Sequence, residues 1–228
     1  MMSSGHSCST CPFKERGICG ALDLQSGTIP IQYGMAKPRT VMIRKDAPAQ
    51  AIMLCSGLAI QYVQLHDGRR QILTLLRPGD LLLGTTTFAE KAFCSVQAVG
   101  NVTFAKIDRN ALLDKMAAEP GLFSLFGKMC FDEKVEYSNL MTDMGRRDGP
   151  ERVAHFILRS ITSCRAKLVD NRCTLPMAIR QEDIADIVGL TPTHVNRILT
   201  SLRREGLIEL TPENLTILDY NRLASRIV

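Results

Sequence analysis

At 228 residues, 45 % hydrophobic and 22 % charged, the chain is long enough for one large or two modest globular domains, each with its own core. A net charge of +5 suits a polyanionic partner, and no apolar run is long enough to span a bilayer. The start of the chain carries no apolar signal-peptide core, so a cytoplasmic location is expected, where eight cysteines indicate metal or redox use rather than disulfides.

Residues 1–7 are rich in Ser and Gly, and a cysteine-rich loop is expected over 1–27. Cys8, Cys11 and Cys19 place three of the eight cysteines within twelve residues, with His6 just ahead. The C-x2-C-x7-C spacing lets three thiolates converge from one loop. That arrangement holds three irons of a cubane cluster, with a fourth ligand supplied from elsewhere. It suits zinc equally, with His6 completing a Cys3His tetrahedron. A dithiol redox pair at Cys8 and Cys11 is disfavoured, because no βαβ pattern surrounds it. Cluster, zinc and unliganded thiols stand level on the residues alone.

From residue 28 to about 108 short apolar segments alternate with glycine turns. Examples of the segments are Thr40–Ile43, Ala51–Leu54, Leu58–Gln64, Gln71–Leu76, Leu81–Leu83 and Val102–Ile107, and the turns include Ser56-Gly57, Asp67-Gly68 and Pro78-Gly79. Strands at this spacing predict an antiparallel β-roll or barrel over 28–119. Helical periodicity returns near Arg109, and Pro120-Gly121 breaks it. A long amphipathic helix is then predicted over 122–144, its apolar stripe being Leu122, Leu125, Phe126, Met129, Val135, Leu140, Met141 and Met144. A helix of this length between two domains is expected to pair with its copy in a homodimer; packing against the β-domain is the alternative, and both faces are available. Arg146 to Pro150 reads as a hinge, so the segment 120–147 is assigned to the dimerisation helix and 148–228 to a second domain, opening on a helix at Glu151–Cys164.

The second domain centres on Arg180–Gly206. Ile184, Ala185 and Val188 form one apolar face of a short helix, and Gly189 supplies the freedom for a sharp turn. Thr191 is a good N-cap and Pro192 a natural first helical residue. In the helix predicted over 192–204, Val195, Ile198, Leu199 and Leu202 fall at i, i+3, i+4 and i+7 and must face inward. Thr193, His194, Asn196, Arg197, Thr200 and Arg203 are left outside, with no carboxylate among them. Arg and Asn on an exposed helix can grip guanine and adenine edges through paired hydrogen bonds, so this is a helix-turn-helix with its recognition helix at 192–204. Leu207–Leu210 and Leu215–Leu218, joined by Thr211 to Asn214, read as a hairpin that makes the motif a winged helix. Arg180, Arg203 and Arg204 are placed to hold phosphates. No Ser/His/acid grouping, phosphate loop or HExxH motif is present, which argues against an enzyme.

An α+β chain with β-roll, long helix and winged helix-turn-helix in that order resembles the CRP/FNR family of transcription regulators over nearly its whole length. The residues that carry the likeness are Asp67-Gly68-Arg69-Arg70-Gln71-Ile72 with Pro78-Gly79-Asp80-Leu81, similar to paired turn motifs of a cyclic-nucleotide-binding-like roll. Arg152-Val153-Ala154-His155-Phe156 and the stretch Gly189–Gly206 complete it. The resemblance implies a dimer on a palindromic double-stranded DNA site, acting with RNA polymerase. It does not imply cAMP as the ligand, since residues 81–94 contain no arginine to neutralise a cyclic phosphate. The cysteine loop resembles the FNR and FixK branches, in which such a loop holds an oxygen-labile [4Fe–4S] cluster, and this raises Cys8, Cys11 and Cys19 as cluster ligands over zinc ligands.

Two departures qualify the likeness. The family's fourth cysteine aligns with Ala105, which cannot ligate iron; Cys94 is taken as its substitute, with Cys55, His6 or a carboxylate as alternatives. Cys130, Cys164 and Cys173 are read as ordinary thiols. A cluster-less or haem-responsive member is the alternative, and His66 is the histidine available in the roll for haem. Where FNR-like proteins present Glu, Ser and Arg to a TTGAT half-site, the matching positions here are Thr193, Asn196 and Arg197. Only the arginine persists, which implies a TTG-like core with altered flanks.

Overall fold

The structure is a computed structural model that describes residues 17–23, 28–82, 87–163 and 166–227. It contains two compact units, one running to Gly68 and over Leu73–Glu136, the other formed by Arg69–Ile72 with Tyr137–Val228.

The first unit begins with helix α1 (Gly17–Leu22) and continues through strands β1 (Ile31–Ala36), β2 (Val41–Ile43), β3 (Ala51–Ser56) and β4 (Ala59–Gln64). Strands β5 (Arg70–Leu76, whose first three residues group with the second unit), β6 (Leu81–Leu82), β7 (Ser95–Ala98) and β8 (Val102–Ile107) follow. They form two four-stranded sheets, ordered β1-β8-β3-β6 and β2-β7-β4-β5. Gly57, Gly68 and Gly79, one in each predicted turn, all take positive φ (83°, 88° and 93°).

Strand β3 shows how two cores share one sheet. Ile52 and Leu54 face a core with Val96, Ala98 and Val102, while Ala51 and Met53 face another built from Ala105, Ile107 and helical residues. Side chains alternate across a strand, so a sheet covered on both faces needs a continuous apolar run, and Ala51 to Leu54 supplies it. Strand β1 lies within the predicted β-roll, although Gly34 interrupts its apolar pattern. The Phe104 ring of β8 lies over that glycine, and a Cβ there would collide with it.

Helix α2 (Arg109–Ala118) starts at Asp108, whose carboxylate accepts the Ala111 N–H at 2.8 Å. Helix α3 (Pro120–Arg146) follows, and its 27 residues make a rod of about 40 Å. Residues of α3 up to Glu136 group with the first unit and those from Tyr137 with the second. Leu122 and Phe126 are buried with α1 and α2 in the second of the two cores, each contributing about 1.5–3 kcal/mol by leaving water. Leu125 and Met129 pack against the same core, Leu140 is buried and Met144 lies against Gly189, so six of the eight predicted stripe residues serve intrachain faces. Phe123, Phe131, Val135 and Met141 are the large apolar side chains that α3 leaves exposed.

The second unit contains α4 (Gly149–Ser163), β9 (Cys173–Pro176), α5 (Gln181–Val188) and α6 (Pro192–Arg204), then β10 (Ile208–Leu210), β11 (Asn214–Ile217) and α7 (Tyr220–Ala224). The predicted hairpin is β10–β11, and β9 adds a third antiparallel strand that pairs Leu175 with Leu215. Among the described residues no helix is long and apolar enough to cross a membrane.

Candidate nucleic-acid interface

Helix α5 ends at Gly189, which takes φ 66° in the left-handed region. The glycine also admits a close approach, since a Cβ there would lie 2.7 Å from Met144 Sδ of α3. Thr191 then caps α6, its hydroxyl accepting the His194 N–H at 3.3 Å, and Pro192 opens the helix. Val195, Ile198, Leu199 and Leu202 are buried, as their spacing requires.

On the outer face Thr193, His194, Asn196, Arg197 and Arg203 are exposed and Thr200 is half-buried. Their environments differ. His194 packs its ring against the start of α4, where a Cβ on Gly149 would lie 3.2 Å from His194 Cε1. Arg203 donates to the Thr200 hydroxyl at 3.3 Å, and the Thr191 hydroxyl is occupied by the cap. Thr193, Asn196 and Arg197 make no side-chain hydrogen bond among the described residues, and together they form a row near the N-terminal end of α6. Arg180 is exposed at the start of α5, and its N–H is held by Asp183 Oδ2 at 3.4 Å. No acidic residue lies anywhere on α6.

Behind this face a polar network joins α3, α4 and α5. Arg152 donates to the carbonyls of Arg147 (2.9 Å), Met144 (3.0 Å) and Val188 (3.4 Å), tying the end of α3 to the end of α5. Asp143, only 3 % exposed, accepts hydrogen bonds from Arg147 and from His155 Nδ1 (2.7 Å), and Arg159 lies 3.7 Å from its second oxygen. Burial holds the His155 pKa below its usual 6.5; Asp143 opposes the shift, and the charges of Arg147 and Arg159 add to it. Sequence reasoning passed over this network, although Asp143, Arg147 and His155 at i, i+4 and i+12 carry its trace.

Four of the described cysteines divide between the two cores of the first unit, and the fifth, Cys173, is buried on β9 in the second unit. Cys19 sits on α1, a helix where a loop is predicted, and packs against the core of Met53, Ala105 and Phe126, as do Cys55 and Cys130. Cys94 is fully enclosed in the other core, beside Leu54 and Val96. Burial, with help from the Glu133 carboxylate, pushes its thiol up to about 12, so a thiolate at Cys94 is disfavoured. Cys19 and the expected fourth ligand Cys94 thus pack in different cores. Cys8, Cys11, His6 and Cys164 lie outside the described residues. Among the described residues no group of three or more His, Cys, Asp and Glu side chains is arranged to hold a metal ion. His66 is exposed in the turn between β4 and β5.

A winged helix-turn-helix with an outward Arg/Asn row, in a chain that also folds a β-roll, defines a DNA-binding regulator. The family comparisons agree. Residues 151–226 match the Crp-like helix-turn-helix domain, and residues 35–119 match the cyclic nucleotide-binding domain. The chain is 31 % identical over 227 residues to the "Transcriptional activatory protein AadR" of Rhodopseudomonas palustris, covering 96 % of this chain and 92 % of that protein. It is 28 % identical over 227 residues to the "Nitrogen fixation regulation protein FixK" of Bradyrhizobium diazoefficiens, covering 96 % and 93 %. The solved structure of FixK2 from Bradyrhizobium japonicum shares the fold at a TM-score of 0.78 and 22 % identity, over 87 % of this chain and 98 % of that one. The chain belongs to the CRP/FNR family of transcription regulators, in its FixK-like branch. Its relatives are regulators, and it is not an enzyme.

Proposed function

We propose that two copies of this chain pair along α3 and set their α6 helices into successive major grooves of a palindromic site in the cytoplasm, regulating transcription with RNA polymerase. The observation that carries the reading is the row Thr193, Asn196 and Arg197 on a helix with no acidic residue. A forked guanidinium suits guanine O6 and N7, and an amide suits adenine N6 and N7. Thr191, His194, Thr200 and Arg203 shape and flank this row, and Arg180 serves the phosphate backbone. Support for the pairing is the exposed set Phe123, Phe131, Val135 and Met141 on one long helix, a degree of exposure that water disfavours.

Sensing is assigned to the N-terminal cysteines. Cys8, Cys11 and Cys19 are proposed to hold a [4Fe–4S] cluster, with Cys55 in place of Cys94 as the fourth ligand. Support for Cys55 is that it shares a core with Cys19 and Ala105, the position of the family's own fourth cysteine, whereas Cys94 lies in the other core with a thiol that resists ionisation. When bound, such a cluster supplies a group that oxygen or nitric oxide destroys. The part played by the chain is to tie its N-terminal segment, through Cys19 on α1, to the core against which α3 packs.

The test is anaerobic purification with iron and sulfide counts and a visible spectrum. Air-labile colour, kept in Cys94→Ser and lost in Cys55→Ser, is expected. The reverse pattern would return the fourth position to Cys94. Colourless, iron-free protein that still binds its palindrome as a dimer would replace the cluster with zinc or with unliganded thiols.

A further inference from the structure

We infer that Arg70 is a positioning residue for DNA reading: its guanidinium, ion-paired to Asp183 and Asp186, holds α5 in the orientation from which α6 engages DNA. The inference rests on the DNA-reading role of α6 and adds to it a residue more than a hundred positions away in the chain.

The geometry is that of a fork. Arg70 Nη2 donates to Asp183 Oδ1, and Nε donates to Asp186 Oδ2. Two carboxylates three residues apart lie on one face of a helix, and a planar guanidinium can bridge them where an ammonium cannot. Next in sequence, Gln71 Nε2 donates to the Ile187 carbonyl at 2.9 Å, so adjacent residues grip more than one turn of α5. The pairs are partly shielded, with side chains 23 % exposed for Arg70, 11 % for Asp183 and 30 % for Asp186. Such shielding gives an ion pair more orienting force than a fully exposed one.

At its far end α5 is held by Arg152 on the Val188 carbonyl and by Met144 over Gly189. Ile184, Ala185 and Val188 form the buried face of α5, and α6 packs against this helix. Fixing both ends of α5 therefore fixes the surface against which the recognition helix rests.

Charge gives Arg70 a second effect. Glu182, Asp183 and Asp186 put three carboxylates on α5, one helix away from the face offered to a polyanion. Arg70 offsets that charge while remaining committed to carboxylates rather than to phosphate.

The test is equilibrium binding of the full-length protein to a palindromic duplex with two TTG cores, against random duplex, across a range of salt. Arg70→Gln is expected to weaken palindrome binding at least about fivefold. The slope of log affinity against log salt should stay at the wild-type value, since no phosphate contact is removed. Arg70→Lys should recover part of the loss, and Asp186→Asn should reproduce part of it should Arg70→Gln prove unstable. Amide exchange in α5 should rise in Arg70→Gln while thermal unfolding stays cooperative. Unchanged or tighter binding by Arg70→Gln overturns the inference, and so does a slope lowered by about one charge, which marks a phosphate contact. Wild-type protein that fails to prefer the palindrome removes the DNA-reading assignment itself, a result distinct from either of these.

Discussion

Arg197 is exposed and engaged with no other described side chain, so its substitution tests recognition apart from stability. Arg197→Ala is expected to cost about 1–3 kcal/mol at one base pair of each half-site, with the unfolding midpoint unchanged. Competition between duplexes that differ at the half-site guanine reads this directly: wild type should discriminate and the variant should not. Much of this helix was legible from side-chain spacing, because inward positions of a helix packed on one side follow its period. The Gly189, Thr191 and Pro192 signals were legible for the same local reason. Which outward residues are spent inside the fold was not legible. The ring of His194 is engaged by Gly149, a neighbour that only the tertiary structure brings near.

Helix α3 shows where periodicity runs out. Its apolar residues serve two faces, and a stripe read from sequence mixes them: Leu122 and Phe126 face the core, while Val135 and Met141 of the same stripe face outward with Phe123 and Phe131, which the stripe lacks. Phe131, 63 % exposed, is the sharper probe of pairing, because replacing it disturbs little within the chain. Phe131→Glu is expected to leave helix content intact, give a monomer in sedimentation equilibrium, and reduce palindrome affinity at least about tenfold through loss of the second half-site. A dimer with native affinity would move the interface elsewhere. Short edge elements were also hard to read. Strand β9 has four residues and ends at Pro176, and only its pairing with β11 identifies it as a strand.

At the scale of the molecule, the network around Asp143 links stability to pH. His155 has a folded-state pKa below its usual 6.5, so on acidification the unfolded chain takes up the proton first. The contribution of His155 is then fully present above about pH 6.5 and is lost as pH falls through the lower folded-state value. Denaturant unfolding midpoints should therefore drop as the pH falls below the usual histidine value of 6.5, and His155→Gln should flatten the profile there. A profile unchanged by the substitution would assign the pH response to other groups. Asp143 and Met144, which complete the surroundings of His155 and Gly189, both stand on α3, before the hinge at which a cut between domains suggests itself. The last turns of the long helix are thus, in energetic terms, part of the reader. A chimera that joins this reader to a different sensor would need to carry the chain from about Tyr137 onward, where the second unit resumes, together with a counterpart of Arg69–Ile72. A fusion made at the hinge would leave Arg159 and His155 without their carboxylate and Gly189 without its cover.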